Sequence, residues 1–178
     1  MTSIETVVGD ITTISCDAIV NAANSTLLGG GGVDGAIHRV AGTALREACR
    51  QLPEIEPNVR CPVGGCRVTP AFGLPAKHVI HCVGPIYRGG NHDEHQQLVS
   101  CYERAIWIAA SLGLSHLTFP AISCGAYRFP IDKAATISVR AVHRAVLSEP
   151  GIQRVTLVAF DDIMHRMWTK ELKQVRAE

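Results

Sequence analysis

The 178-residue chain has almost no excess of charge: 17 lysines and arginines stand against 16 acidic residues, a formal net charge of +1. No basic run exceeds two residues, so the electrostatic footprint of a general nucleic-acid binder is missing. Charge therefore gives no support for RNA or DNA as a partner. The opening Met-Thr-Ser-Ile-Glu-Thr lacks a basic region followed by an apolar stretch, which argues against a signal peptide and predicts a cytoplasmic protein. Ala105 to Tyr127 is free of formal charge and long enough to raise a membrane span. Ser111, Gly113, Ser115, His116, Pro120 and Ser123 interrupt it. A helix end followed by a buried strand is the expected structure, with no membrane partner.

Several familiar signatures are missing too. Seven cysteines, at 16, 49, 61, 66, 82, 101 and 124, form an odd set without regular spacing, so no disulfide framework is expected and the thiols read as small, partly buried groups. Cys61 and Cys66, followed by His78 and His81, lack the close C-x-x-C spacing of a structural zinc site. No metal is expected. No Gly-Lys-Ser/Thr follows the glycines, and G-x-G-x-x-G with its acidic ribose anchor is absent, which disfavours a Walker A loop and ordinary dinucleotide binding.

What is present concentrates between Val20 and Arg39: Asn21-Ala-Ala-Asn24, then Gly29-Gly-Gly-Gly32-Val-Asp34-Gly-Ala-Ile-His38. Four consecutive glycines let backbone amides approach a ligand closely. An apolar helical pattern follows at Ile37, Val40, Ala41, Ala44, Leu45 and Ala48, so the loop delivers its ligand to a helix start that favours negative charge. An anion is the implied ligand.

The length fits one domain, residues 1–178. Strands are predicted at 4–8, 18–21, 66–70, 78–83, 117–122 and 155–160. Helices are predicted from Asp34 to about Gln51, around Leu98 to Leu112, from Pro130 to about Val146, and from Asp161 to the C-terminus. Near-continuous apolar strands flanked by amphipathic helices imply a three-layer α/β/α sandwich. In such folds ligands sit beyond the carboxyl ends of strands, where the asparagines, the Ser123–Phe129 loop and Phe160 all fall. Ser123-Cys124-Gly125-Ala126-Tyr127 is a second small-residue turn able to present amides to an anion.

Gly9-Asp10-Ile11-Thr12, Asn21-Ala-Ala-Asn24, Gly29 to His38 and Phe119-Pro-Ala-Ile-Ser-Cys-Gly-Ala-Tyr127, in that order, closely resemble macrodomains. The branch resembled is the hydrolase branch that includes bacterial O-acetyl-ADP-ribose deacetylases. That resemblance implies a macrodomain-like sandwich with a central mixed sheet. It also implies roles for single residues. Asp10 and the Ile11 amide would read adenine, although by chemistry alone an N-cap is the favoured reading of Asp10. Phe160 would stack on the adenine. Gly32, Val33, Ser123, Cys124, Gly125 and Ala126 would hold the diphosphate, with Tyr127 near the distal ribose. Asn24 would fix the distal ribose and the attacking water, and Asp34 would activate that water, kept ionised by its place at a helix start. Asn21 reads as a structural residue capping local backbone. His38, one turn after Asp34, orders either Asp34 or the ribose, or is structural. Cys124 departs from the hydroxyl residue expected at its position; a nucleophilic thiolate there is formally open.

The expected function is hydrolysis of the acyl ester of O-acetyl-ADP-ribose, releasing ADP-ribose and acetate without a cofactor. Removal of mono-ADP-ribose from acidic side chains of proteins is a second activity of the same cleft. A non-catalytic reader of ADP-ribose is the alternative. The partners so implied are small ADP-ribose derivatives and mono-ADP-ribosylated proteins.

Overall fold

A computed structural model describes residues 2–178. Its six-stranded sheet comprises β1 (Ser3–Val8), β2 (Ala18–Ala23), β3 (Cys66–Pro70), β4 (His78–Val83), β5 (His116–Phe119) and β6 (Arg154–Ala159). The spatial order is β1-β6-β5-β2-β4-β3. Every neighbouring pair is parallel except β3 with β4, so the sheet is mixed. The five α-helices are α1 (Gly32–Ala41), α2 (Thr43–Arg50), α3 (Glu94–Ser111), α4 (Ile131–Ser148) and α5 (Asp162–Ala177).

Alternation along each strand divides the core in two. Val20, Ile80, Leu117, Phe119, Val155 and Leu157 point to the side packed by α3, α4 and α5. Ile19, Ala23, Val79, Val83 and Val158 point to the side packed by α1 and α2 through Ile37, Ala41, Leu45 and Cys49. Burial on both faces explains why the strands read as nearly unbroken apolar runs.

Several boundaries differ from expectation, with β2 running on to Ala23 and α3 starting at Glu94. The helix predicted from Asp34 to Gln51 is two, because Gly42 turns to φ 87° between α1 and α2. Val40, within α1, lies off the buried face formed by Asp34, Ile37 and Ala41 and is exposed. β5 ends at Phe119, as the next residue, Pro120, has no N–H to give a ladder. β6 stops before Phe160, where Asp161 caps α5 by accepting from the Met164 amide at 2.9 Å. The antiparallel register also sets Cys66 opposite Cys82, their Cα atoms 4.2 Å apart and their sulfurs bonded. This one disulfide corrects the picture of seven separate thiols, and sequence spacing gives no sign of a pairing made by register. The other cysteines are free. Among the described residues no helix is long and apolar enough to cross a membrane.

Candidate active site

Beyond the carboxyl ends of β2 and β5 opens a cleft of about 250 Å³. One wall is the glycine loop and the start of α1, contributing Asn24, Gly30, Gly31, Gly32, Val33 and Asp34. The opposite wall comes from the second loop, with Ser123, Gly125, Ala126 and Tyr127. Two of the predicted anion loops thus face each other. The first-turn amides of α1 have no intrahelical acceptor, and no side chain caps them from Gly31. They are left to a ligand in the cleft.

Close approach shapes both walls. A Cβ on Gly35 would stand 2.6 Å from the Gly30 carbonyl oxygen, so α1 can pass this near the loop only without a side chain there. A Cβ on Gly84, after β4, would fall 2.2 Å from Ser123 Oγ. Gly84, Ala22, Ala121 and Ile122 line the cleft although nothing in the sequence assigns them a ligand role of their own. Gly84 followed by Pro85, at a strand's carboxyl end, is the signal that could have found one of them.

Asp34 lies on the floor, 5% exposed. Its Oδ1 accepts from Asn21 Nδ2 at 2.7 Å, and His38 Nε2 stands 3.4 Å from the same oxygen. Oδ2 turns toward Gly30, where Asn24 Nδ2 also points. Burial pushes the Asp34 carboxyl above the ordinary range, while the Asn21 hydrogen bond and the His38 charge pull it back. The helix-start argument for a readily ionised Asp34 therefore meets a stronger opposing effect. His38 is driven the other way, its protonation disfavoured by burial and favoured by Asp34.

Asn21 differs from its sequence reading, and Asn24 has a turn-organising role beside the one expected of it. Asn21 does not cap local backbone; it is fully buried and bonds Asp34 and His81. Asn24 organises the turn, its Oδ1 accepting from the Thr26 amide at 3.1 Å and the Thr26 hydroxyl at 2.7 Å. Its Nδ2 donates to the Gly29 carbonyl at 3.1 Å, which leaves one N–H to offer the cleft.

Asp10 and Phe160 follow the adjacent strands β1 and β6, beyond the cleft lining. Asp10 Oδ1 accepts from the Thr12 amide and hydroxyl, at 2.9 and 2.7 Å, so the capping reading is realised. Those bonds hold the Asp10 carboxyl below its usual range. Phe160 is 93% exposed, an aromatic face open to a partner. Ile11 is buried.

Cys124 is absent from the cleft lining. Its Sγ donates to the Ile122 carbonyl at 3.5 Å, and burial pushes the thiol up to about 12. A thiol so protonated is no nucleophile. The four groups considered for zinc do not assemble among the described residues. A different trio, His38, Cys49 and His81, brings its ligand atoms within 4.8 Å. Both His81 ring nitrogens already face protein partners, Asn21 and Thr69.

The sequence matches the Macro domain family over residues 20–138, and the chain belongs to that family. It is 47% identical to a macro domain-containing protein of Xanthomonas campestris pv. campestris over 164 residues, 92% of either chain. It is 47% identical over 158 residues, 89% of either chain, to a Klebsiella pneumoniae protein named O-acetyl-ADP-ribose deacetylase. In three dimensions it is similar to the Oceanobacillus iheyensis macrodomain with ADP. The TM-score is 0.90 at 39% identity, covering 97% of this chain and 90% of that one. The Trypanosoma brucei macrodomain in complex with ADP-ribose gives a TM-score of 0.83 at 34% identity, over 95% of this chain and 68% of that one.

Proposed function

We propose that the protein binds ADP-ribose derivatives in this cleft and hydrolyses an ester on the distal ribose, with O-acetyl-ADP-ribose as the first substrate. The observation that carries the reading is Asp34, a buried carboxylate whose Oδ2 is aimed at the space beside Asn24 and the glycine loop. Burying a carboxylate carries a desolvation cost, which the gain of a general base for water attack would offset. The α1 amides and those of the second loop grip the diphosphate, Asp10 and Phe160 take the adenine, and the free Asn24 N–H holds a ribose hydroxyl. Asp34, ionised, accepts a proton from water as the water attacks the ester carbon. The same chemistry applies where the acyl group is an acidic side chain of a mono-ADP-ribosylated protein. An ester is already an activated acyl group, so the reading calls for no cofactor or metal. The deacetylase name of the Klebsiella relative supports it.

Acetate release from O-acetyl-ADP-ribose, measured beside ADP-ribose affinity, tests this reading. Asp34→Ala is expected to cut the rate by roughly 10²–10⁴ while keeping affinity within a few-fold. Wild-type binding without any acetate release would leave a reader module instead.

A further inference from the structure

Behind the cleft floor, Asn21 on β2, His81 on β4 and Thr69 on β3 lie on one face of three adjacent strands, under α1 and α2. All three are buried, Asn21 and His81 completely. They form a chain: Asp34 Oδ1 to Asn21 Nδ2 at 2.7 Å, Asn21 Nδ2 to His81 Nδ1 at 3.2 Å, His81 Nε2 to Thr69 Oγ1 at 2.9 Å. Cys49 Sγ stands 3.6 Å from the same His81 Nε2.

Donor and acceptor logic runs through this chain in one direction. An ionised Asp34 only accepts, so Asn21 must turn its NH₂ toward it. The second hydrogen of that NH₂ then meets His81 Nδ1, which must carry a lone pair. The imidazole proton therefore sits on Nε2 and is donated to Thr69. Burial keeps the His81 ring neutral by pushing its ionisation down to about 3, so the tautomer persists through the physiological range. Asn21 Oδ1, meanwhile, is buried without a partner. The amide thus holds an orientation that leaves its own oxygen unsatisfied and aims both N–H bonds along the chain.

We infer that His81 and Thr69 are positioning residues for Asp34. By placing the imidazole proton on Nε2 they leave Nδ1 as an acceptor, which locks the Asn21 amide with its donors toward the carboxylate. This inference rests on the hydrolase reading above for its catalytic consequence, though not for its geometry. Other titratable groups around Asp34 are His38 on α1, Cys49 on α2 and Tyr127 of the second loop, with Arg46 facing His38. Burial raises both the Cys49 thiol, to about 11, and the Tyr127 phenol. His38 is then the neighbour whose ionisation shifts toward that of Asp34, downward by burial as Asp34 shifts upward.

The Asp34 carboxyl is titrated by ¹³C NMR in the wild type, His81→Gln and His81→Asn. Asparagine can put an oxygen where Nδ1 stands and accept from Asn21; glutamine reaches past that point toward Thr69. His81→Gln is expected to raise the Asp34 midpoint by about one pH unit, because the ionised form loses an oriented donor. The acidic limb of kcat for acetate release should move up with it, while KM stays within about twofold, the signature of an interaction made in the transition state. His81→Asn should restore both. An Asp34 midpoint unmoved in folded His81→Gln, even with a lowered melting temperature, makes His81 merely structural and overturns the inference. If His81→Gln does not fold, Thr69→Val decides by the same readout, with a smaller shift in the same direction expected and no shift overturning. A wild type that releases no acetate sinks the hydrolase reading alone, since the carboxyl titration still decides the positioning role.

Discussion

The two loops that face each other across the cleft are held by opposite means. The glycine stretch of the first loop enters positive φ at Gly29, 95°, and Gly32, 57°, just after Leu27 at 59°, and side chains of Asn24 and Asp34 flank it. The second loop places ordinary residues in the left-handed region, Ser123 at 66° and Arg128 at 55°, each costing about 1–2 kcal/mol. Its support is mostly main chain: Phe129 N donates to Ser123 O at 2.9 Å, Arg128 N to Gly125 O at 3.0 Å, and Tyr87 N to Tyr127 O at 2.9 Å. The first loop is therefore sensitive to its own side chains and to what touches them. The second tolerates side-chain change but depends on the neighbouring 84–93 segment that supplies Tyr87.

Gly35→Ala should break this contrast most visibly. The added Cβ meets the Gly30 carbonyl at 2.6 Å, so the first loop must shift. ADP-ribose affinity should fall by a factor on the order of ten or more, with about 1–3 kcal/mol of lost stability from overpacking. Calorimetric titration and thermal unfolding read both. Unchanged affinity would mean that the loop has slack its packing does not suggest.

A smaller effect is expected at Glu94, whose buried carboxylate accepts from the amides of Arg88, Gly90 and His92 at 2.8, 3.2 and 2.6 Å. Burial alone would raise its pKa, but the amides hold it down to about 2. A carboxyl depressed in the folded state stabilises fully above its unfolded value of about 4.3. That contribution fades as pH falls toward 2. Hydrogen-exchange protection of residues 86–93, corrected for the intrinsic rate at each pH, should therefore fall across that window. Glu94→Gln should show the low protection already at pH 7, with a moderate loss of ADP-ribose affinity through Tyr127. Protection independent of pH would detach the second loop from this support.

Cys124→Ser should do least. The thiol is turned to the Ile122 carbonyl and outside the cleft, so ADP-ribose affinity should stay within about twofold by calorimetry, as expected of a loop that binds through its backbone. A larger change would give the second loop a side-chain grip like that of the first.

Much of this was legible beforehand because the signals are local. Gly29 to Asp34 announces a flexible loop entering a helix, and Pro130, Gly113 and Pro150-Gly151 punctuate helices where the structure breaks them. The turns after β2, β5 and β6, carrying Asn24, Ser123 and Phe160, follow from the α/β alternation. What stayed hidden depends on pairing between distant strands. Cys66 and Cys82 meet through the antiparallel register of β3 and β4. Asn21 and His81 meet through the parallel register of β2 and β4, and in strands apolar on both faces no periodicity shows which polar residue turns to which side. The burial of Asp34 was likewise invisible: a helix-start carboxylate commonly faces water, and only tertiary packing reveals that this one does not.

The sheet order has a consequence for synthesis. β1, which leads to Asp10, has β6 as its single strand neighbour, and β6 is separated from it by nearly the whole chain. On the ribosome the glycine loop and the second loop can emerge and dock on β2, β4 and β5 while β1 is still unpaired. The end of the pocket assigned to adenine is assembled last, by the first and final strands together. Full nucleotide affinity should accordingly appear only once β6 has inserted between β1 and β5.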